Sequence, residues 1–272
     1  MKLAWATDVH LSHASEAVDE AFCADIADSD AEVLLLGGDI AEANNIETWL
    51  HFVSERVRRR IYFVLGNHDY YGGDIASVRE RMRTLDTSCA MWLPRAGVVE
   101  LSEHTALVGH GGWGDARFGN FEEPALLNDY FVIKELREST GDGHPLAVMN
   151  NLPALKRKLG ELGDEAAQTL LPIYREALER FDEVLVLTHV PPFREACWHE
   201  GRISDDAWLP GFTCKAMGEM LSEGAQDFPD TEVTVLCGHT HGSGEARISA
   251  NLLTITGEAR YGAPGFRIVT VK

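Results

Sequence analysis

Five apolar runs in this chain end in a polar cluster, always at the carboxyl side. Lys2 to Ala6 leads into Asp8-Val9-His10, and the run from Glu32 to Leu36 leads into Gly37-Gly38-Asp39. Ile61 to Leu65 leads into Gly66-Asn67-His68-Asp69, Val184 to Leu187 into Thr188-His189, and Val233 to Cys237 into Gly238-His239-Thr240-His241. Short apolar runs bounded by glycine and polar residues read as buried strands. Helical spacing over 14–28, 46–59 and 74–85 separates the early ones, with Ala17, Ala21, Ala24 and Ile26 expected near one face of the first helix. This βαβ rhythm favours a largely parallel inner sheet. Ligands gather beyond the carboxyl ends of such strands, so the five clusters are expected on one rim.

The middle of the chain has a different character. Strands are expected over 98–101 and 106–109, the second ending at His110, Trp113 and Asp115. From about 120 to 182, long helical patterns replace strand signals; 152–181 reads mostly as helix, with Pro172 expected to break or restart it. This stretch is read as a helical insertion in a single domain spanning 1–272. After it, 245–249, 252–256 and 266–271 are expected to close a second, antiparallel part.

Composition narrows the partners. A net charge of −19 repels polyanions, which disfavours long nucleic acid. The five cysteines (Cys23, Cys89, Cys197, Cys214 and Cys237) are odd in number and form no CxxC, so reduced thiols of a cytoplasmic protein are expected. The start shows no basic-then-apolar leader, and no apolar stretch approaches the ~20 residues of a membrane helix. No membrane partner is expected. A homo-oligomer is compatible with everything in the sequence.

The clusters share a chemistry. Carboxylate, imidazole and amide oxygen suit manganese, iron or zinc better than thiolate-seeking ions. A carboxylate can bridge two ions, whereas one imidazole nitrogen holds only one. A dinuclear site therefore wants a bridging acid with mostly histidines around it.

The ordered set D-x-H, G-D, G-N-H-D, H and G-H-x-H resembles the calcineurin-like metallophosphoesterase superfamily, from residue 8 to residue 241. The resemblance implies a four-layer αββα sandwich of two mixed sheets flanked by helices. It implies Asp8, His10 and His241 at one metal, Asn67, His189 and His239 at a second, and Asp39 bridging them. The two divalent ions would be manganese first, with iron, zinc or nickel as alternatives. His68 matches the family's catalytic histidine, with Asp69 beside it. Glu42 stands where the family often has an acid that orients this histidine.

The activity implied is hydrolysis of a phosphomonoester or phosphodiester of a small metabolite or nucleotide, by a hydroxide bridging the two metals. A catalytically silent scaffold and a nuclease on short single strands are the alternatives. Candidate substrate contacts are Asn67, His110, Arg194 and His199. Trp113, Asp115 and Arg117 are weaker ones, as are Asn128, Asp129 and Tyr130 from the insertion.

Overall fold

A computed structural model describes residues 1–85, 88, 90–141 and 143–272, and the backbone alone of Ser12. The chain begins β1 (Lys2–Ala6), α1 (Glu16–Asp28), β2 (Val33–Gly37), α2 (Ile46–Val57), β3 (Arg60–Val64), α3 (Ile75–Thr84) and β4 (Ala90–Trp92). The short α4 (Leu93–Ala96) leads to β5 (Val99–Glu100) and β6 (Thr105–Gly109). Then come α5 (Asp129–Val132), α6 (Lys134–Thr140), α7 (Pro145–Asn150) and α8 (Leu152–Arg180). β7 (Glu183–Leu187) precedes a two-stranded ribbon of β8 (Trp198–His199) and β9 (Arg202–Ile203). The chain finishes α9 (Leu209–Phe212), α10 (Lys215–Asp227), β10 (Glu232–Cys237), β11 (Gly244–Ser249), β12 (Leu252–Thr256) and β13 (Arg267–Thr270).

The strands form two large mixed sheets, in the orders β13-β1-β2-β3-β4 and β11-β12-β10-β7-β6-β5. Strand alternation explains their stacking. Leu3, Trp5, Val33, Leu35 and Val64 of the first sheet meet Leu107, Leu185, Leu187 and Leu236 of the second in one apolar layer. The intervening Ala4, Ala6, Leu34 and Leu36 face the other way, onto Phe22, Ile26, Leu50 and Val53 of α1 and α2. On the far side, Val184, Val186, Val233 and Val235 pack with Leu170, Tyr174, Met217 and Leu221 of α8 and α10. The result is the expected αββα layering.

Three sequence expectations are corrected. α1 buries Asp19, Phe22, Cys23 and Ile26, while Ala17, Ala21 and Ala24 are exposed, because the larger apolar groups claim the core face. Pro172 lies inside an unbroken α8. It and Gln168, four residues back, are both exposed, so the carbonyl that loses its N–H partner can turn to water, and the buried stripe holds the helix together. The last strands do not form a separate antiparallel part. β12 runs parallel to β10, and β13 crosses to pair antiparallel with β1.

Cys23, Cys197, Cys214 and Cys237 are free and buried; Cys89 lies outside the described residues. No described helix is long and apolar enough to cross a membrane.

Candidate metal centre

β1, β2 and β3 are parallel in one sheet, and β7 and β10 are parallel in the other. Their carboxyl ends meet across the stack. Asp8 N–H donates to the Gly38 carbonyl and His10 N–H to that of Asp39, each at 3.0 Å. Asp8, His10, Asp39, His239 and His241 all adopt positive φ, between 43° and 70°. Non-glycine residues seldom do so, and such strain concentrates at sites of function. Glycine clears the floor beneath them: a Cβ on Gly66 would overlap Asp39 Oδ1, and one on Gly238 would overlap Asp8 Oδ2.

The side chains gather as two groups sharing one carboxylate. Asp8, His10, Asp39 and His241 form the first, and Asp39, His189 and His239 the second; within each group the ligating atoms lie within 4.8 Å of one another. Asp39 Oδ2 faces His10 Nε2 at 3.8 Å, and Asp39 Oδ1 faces His189 Nε2 at 3.4 Å. In the first group, His10 Nε2 and His241 Nε2 are 3.3 Å apart, and His241 Nε2 is 3.3 Å from Asp8 Oδ1. In the second, His189 Nε2 is 3.1 Å from His239 Nδ1 and 3.0 Å from Asn67 Oδ1.

The tautomers follow from what lies behind the rings. His189 Nδ1–H donates to the Gly37 carbonyl at 3.0 Å, and His239 Nε2–H to that of Gly211 at 3.1 Å. A carbonyl can only accept, so each neutral ring turns a lone pair inward. Asn67 Nδ2–H donates to Asp129 Oδ1 at 2.8 Å, which aims the amide oxygen the same way. Asn67, His189 and His239 therefore present acceptors only, and no hydrogen bond among the three can satisfy all. That is the electrostatic demand a cation meets, and the N/O donor set fits a borderline divalent ion.

Protonation agrees. Burial pushes His189 and His239 down to about 4 and His10 down to about 3, so the rings are neutral. Burial also works against ionisation of Asp8, but the imidazoles of His189, His241 and His10 outweigh it and hold the carboxyl well below its usual range. Asp39 is pushed well above, by burial and then by the carboxylates of Asp8 and Asp69.

His68 sits over the shared carboxylate. Its backbone N–H donates to Asp39 Oδ1 at 2.8 Å, and its Nε2 is 3.9 Å from Asp39 Oδ2 and 3.5 Å from the Tyr261 hydroxyl. The ring stacks on Tyr71 with centroids 4.1 Å apart. Burial pushes it down to about 2.

Several candidates take other places. Asp69 accepts backbone N–H bonds from Ile40, Ala41 and Gly66 at 2.8–2.9 Å, so it staples the loop after β2 to the loop after β3 instead of facing substrate. Glu42 has no bond to His68, whose Nδ1 is buried without a partner; Tyr71 supports the ring instead. His110 is buried, and its Nδ1 accepts from Gly112 N–H at 3.1 Å, away from the cleft. Arg194 points to the surface and pairs with Asp206 at 3.0 Å. Trp113 is buried against Tyr70, and Asp115 ties down Ala216 N–H and Arg117. His199 does line the cleft, its Nδ1–H held by the Thr240 carbonyl at 2.9 Å.

The cleft also holds Tyr71, Asn128, Asp129, Trp208, Phe212 and Tyr261. Tyr261 was missed because it follows β12, which was expected to be antiparallel. A strand parallel to β10 delivers its following loop to the same rim.

A family model described as "Calcineurin-like phosphoesterase" matches residues 1–243. The chain belongs to the calcineurin-like phosphoesterase family. Membership makes it a metallophosphoesterase-type hydrolase and agrees with a dinuclear site at the two groups. No curated protein matches the sequence. Among solved structures, it is similar to a phosphopantetheinyl hydrolase from Mycobacterium tuberculosis, with TM-score 0.64 and 16% identity over 98% of this chain and 95% of that one. It is also similar to a dimetal phosphatase from Danio rerio, with TM-score 0.60 and 14% identity over 98% and 91% of the two chains. At these identities the likeness is one of fold.

Proposed function

We propose that this calcineurin-like phosphoesterase hydrolyses a phosphomonoester or phosphodiester of a small metabolite or nucleotide. The observation behind the proposal is the acceptor-only trio of Asn67, His189 and His239 beside Asp39, which also belongs to the group of Asp8, His10 and His241. Asp8, His10 and His241 would hold one divalent ion, Asn67, His189 and His239 another, and Asp39 both. Manganese heads the choices for this N/O donor set, with iron, zinc and nickel behind it. Two such ions would polarise the phosphoryl oxygens and supply a nucleophilic hydroxide at neutral pH.

The protein's own side chains do the rest. The water oxygen bonds to phosphorus as the ester P–O bond opposite it breaks, and the departing oxygen must gain a proton. His68 is the side-chain nitrogen donor nearest the shared carboxylate outside the ligand set. Its ring is neutral, so its Nε2–H would hydrogen-bond to that oxygen as the oxygen takes its proton from water, or would hold the charged phosphoryl group. Tyr71 keeps its ring in place by stacking. No lysine or arginine lines the described cleft, which argues against a nuclease that tracks a polyanionic strand. A silent scaffold is disfavoured because every ligand position and His68 are filled.

The test is turnover of p-nitrophenyl phosphate and bis-p-nitrophenyl phosphate by protein loaded with Mn²⁺, beside His68→Ala. The parent should turn over at least one ester. H68A should keep its metal and lose about 10²–10⁴-fold in rate. An inert parent with two ions bound overturns the proposal. An unimpaired H68A removes His68 from it.

A further inference from the structure

We propose that Trp208, backed by Phe212 and His199, is a platform for a nucleobase, so that the preferred substrate is a nucleoside ester carrying a single phosphate. This rests on the phosphoesterase reading above and names the substrate class of the same site.

Space is the first argument. The cleft over the metal ligands measures about 210 Å³, less than the about 300–1,000 Å³ of a pocket that engulfs its ligand. It has room for a phosphoryl group and a sugar. Anything further lies on the open rim, and Trp208 stands there, 39% exposed. The spacing of the rings fits this division. From the ligand ring of His239, Phe212 is one step of 5.1 Å, and Trp208 is a second step of 5.1 Å. A sugar spans the first step and a base reaches the second. His199 is 6.2 Å from Trp208 and tilted by the same 35° as Phe212, so the indole is braced. A braced, exposed indole loses little freedom when a flat ring settles on it.

Charge is the second argument. No lysine or arginine is among the described residues that line the cleft, and the segment around His199 is acidic on balance. The 194–206 segment carries Glu195, Glu200, Asp205 and Asp206 against Arg194 and Arg202, and Arg194 is already paired with Asp206. A nucleoside di- or triphosphate would bring anions to an acidic wall, whereas a neutral base brings none. Asn128 is exposed on the same cleft and offers an amide that can both donate to and accept from a base edge.

Adenosine 5′-monophosphate and ribose 5-phosphate share the same scissile primary ester and differ only in the base. With Mn²⁺-loaded protein, kcat/KM should favour the nucleotide by about 10–100-fold, the yield of one stacked base. Trp208→Ala should collapse that ratio by about tenfold, and Trp208→Phe should restore most of it. Equal kcat/KM for the two esters in the parent, or an unchanged ratio in W208A, overturns the platform. If p-nitrophenyl phosphate is hydrolysed and neither ribose ester is, the platform fails while the phosphoesterase reading stands. If all three are inert and bis-p-nitrophenyl phosphate is too, the phosphoesterase reading fails. Calorimetry then decides the platform: nucleotide binding at least tenfold tighter than ribose 5-phosphate upholds it, and equal binding overturns it.

Discussion

In the half of the site built from Asn67, His189 and His239, each ligand is aimed by a bond made at its far end. Asp129 takes the amide hydrogen of Asn67, and the Gly37 and Gly211 carbonyls take the ring hydrogens of His189 and His239. In the other half, among the described residues, only Asp8 is anchored in this way, by Thr7 Oγ1–H at 2.6 Å and His239 N–H at 3.0 Å. His10 and His241 rely on left-handed backbone and on ring packing around Tyr261, whose centroid lies 4.4 Å from His10 and 5.1 Å from His241. Exposure does not separate the halves: His10 is as buried as His189, and His239 and His241 are both half-buried, so the difference lies in the bonds behind the ligands. Hydrogen bonds behind a ligand hold its direction to a narrow angle, whereas stacking lets a ring slide. The Asn67 half should therefore keep its ion tightly, and the His10 half should exchange its ion and admit substrate.

The strongest way to erase this asymmetry is to remove what the halves share. Asp39→Ala should leave fewer than one ion per chain by elemental analysis and cut hydrolysis by about 10³-fold or more, since both Lewis acids depend on it. A variant that keeps one full ion, held in the Asn67 half, would show instead that the three far-side bonds suffice without the bridge.

Asp129→Ala tests the asymmetry directly. Asn67 loses its orienting acceptor, and affinity in that half should fall by about 10–100-fold while the other half stays within about threefold. Two-site Mn²⁺ titration by calorimetry separates the two. The Tyr71 hydroxyl also donates to Asp129, at 2.7 Å, so the His68 stack should loosen and kcat should fall more than KM rises. Equal weakening of both ions would mean that Asp129 only supports the fold.

On the other side, Tyr261→Ala removes a half-exposed stack, 53% open to solvent. Aromatic pairs contribute about 0.5–1.5 kcal/mol, so the His10 half should weaken by only about two- to tenfold. A loss as large as that of D129A would mean that stacking fixes these rings as firmly as hydrogen bonds do.

The sequence exposes the first-order site and hides what steers it. Strand-end clusters were legible because their glycines and abrupt polarity stand out against buried runs. Tyr71 and Tyr261 were not, and Asp129 was so only in part. Asp129 is legible as a weak cleft candidate, but its role of aiming Asn67 shows only once the helical stretch folds back on that residue. Tyr71 belongs to none of the strand-end clusters, although its ring supports His68 where an acid at Glu42 was expected. Tyr261 depends on β12 being parallel to β10, and parallel pairing leaves no local turn signature. Pro172 shows a related limit, because propensity marked a break that the buried stripe of α8 overrides.

The smallest expected effect lies behind the loosely held half, in the helix that follows the Asp8–His13 loop. Asp19 of α1 is buried, and neither carboxylate oxygen has a partner among the described residues. Burial pushes it up to about 6, against an ordinary 3.8. The folded protein thus holds this proton more tightly than the unfolded chain does. Stability falls as pH rises from about 4 to about 6, and the full penalty persists above that. Asp19→Asn removes the charge, so it should raise stability at pH 7 and give no gain below pH 4. Urea unfolding at the two pH values measures both. If the gain appears while Mn²⁺ affinity in the His10 half is unchanged, that half owes its looseness to its own rings. If affinity rises as well, the strain in α1 reaches the ligand loop, and the asymmetry begins outside the site.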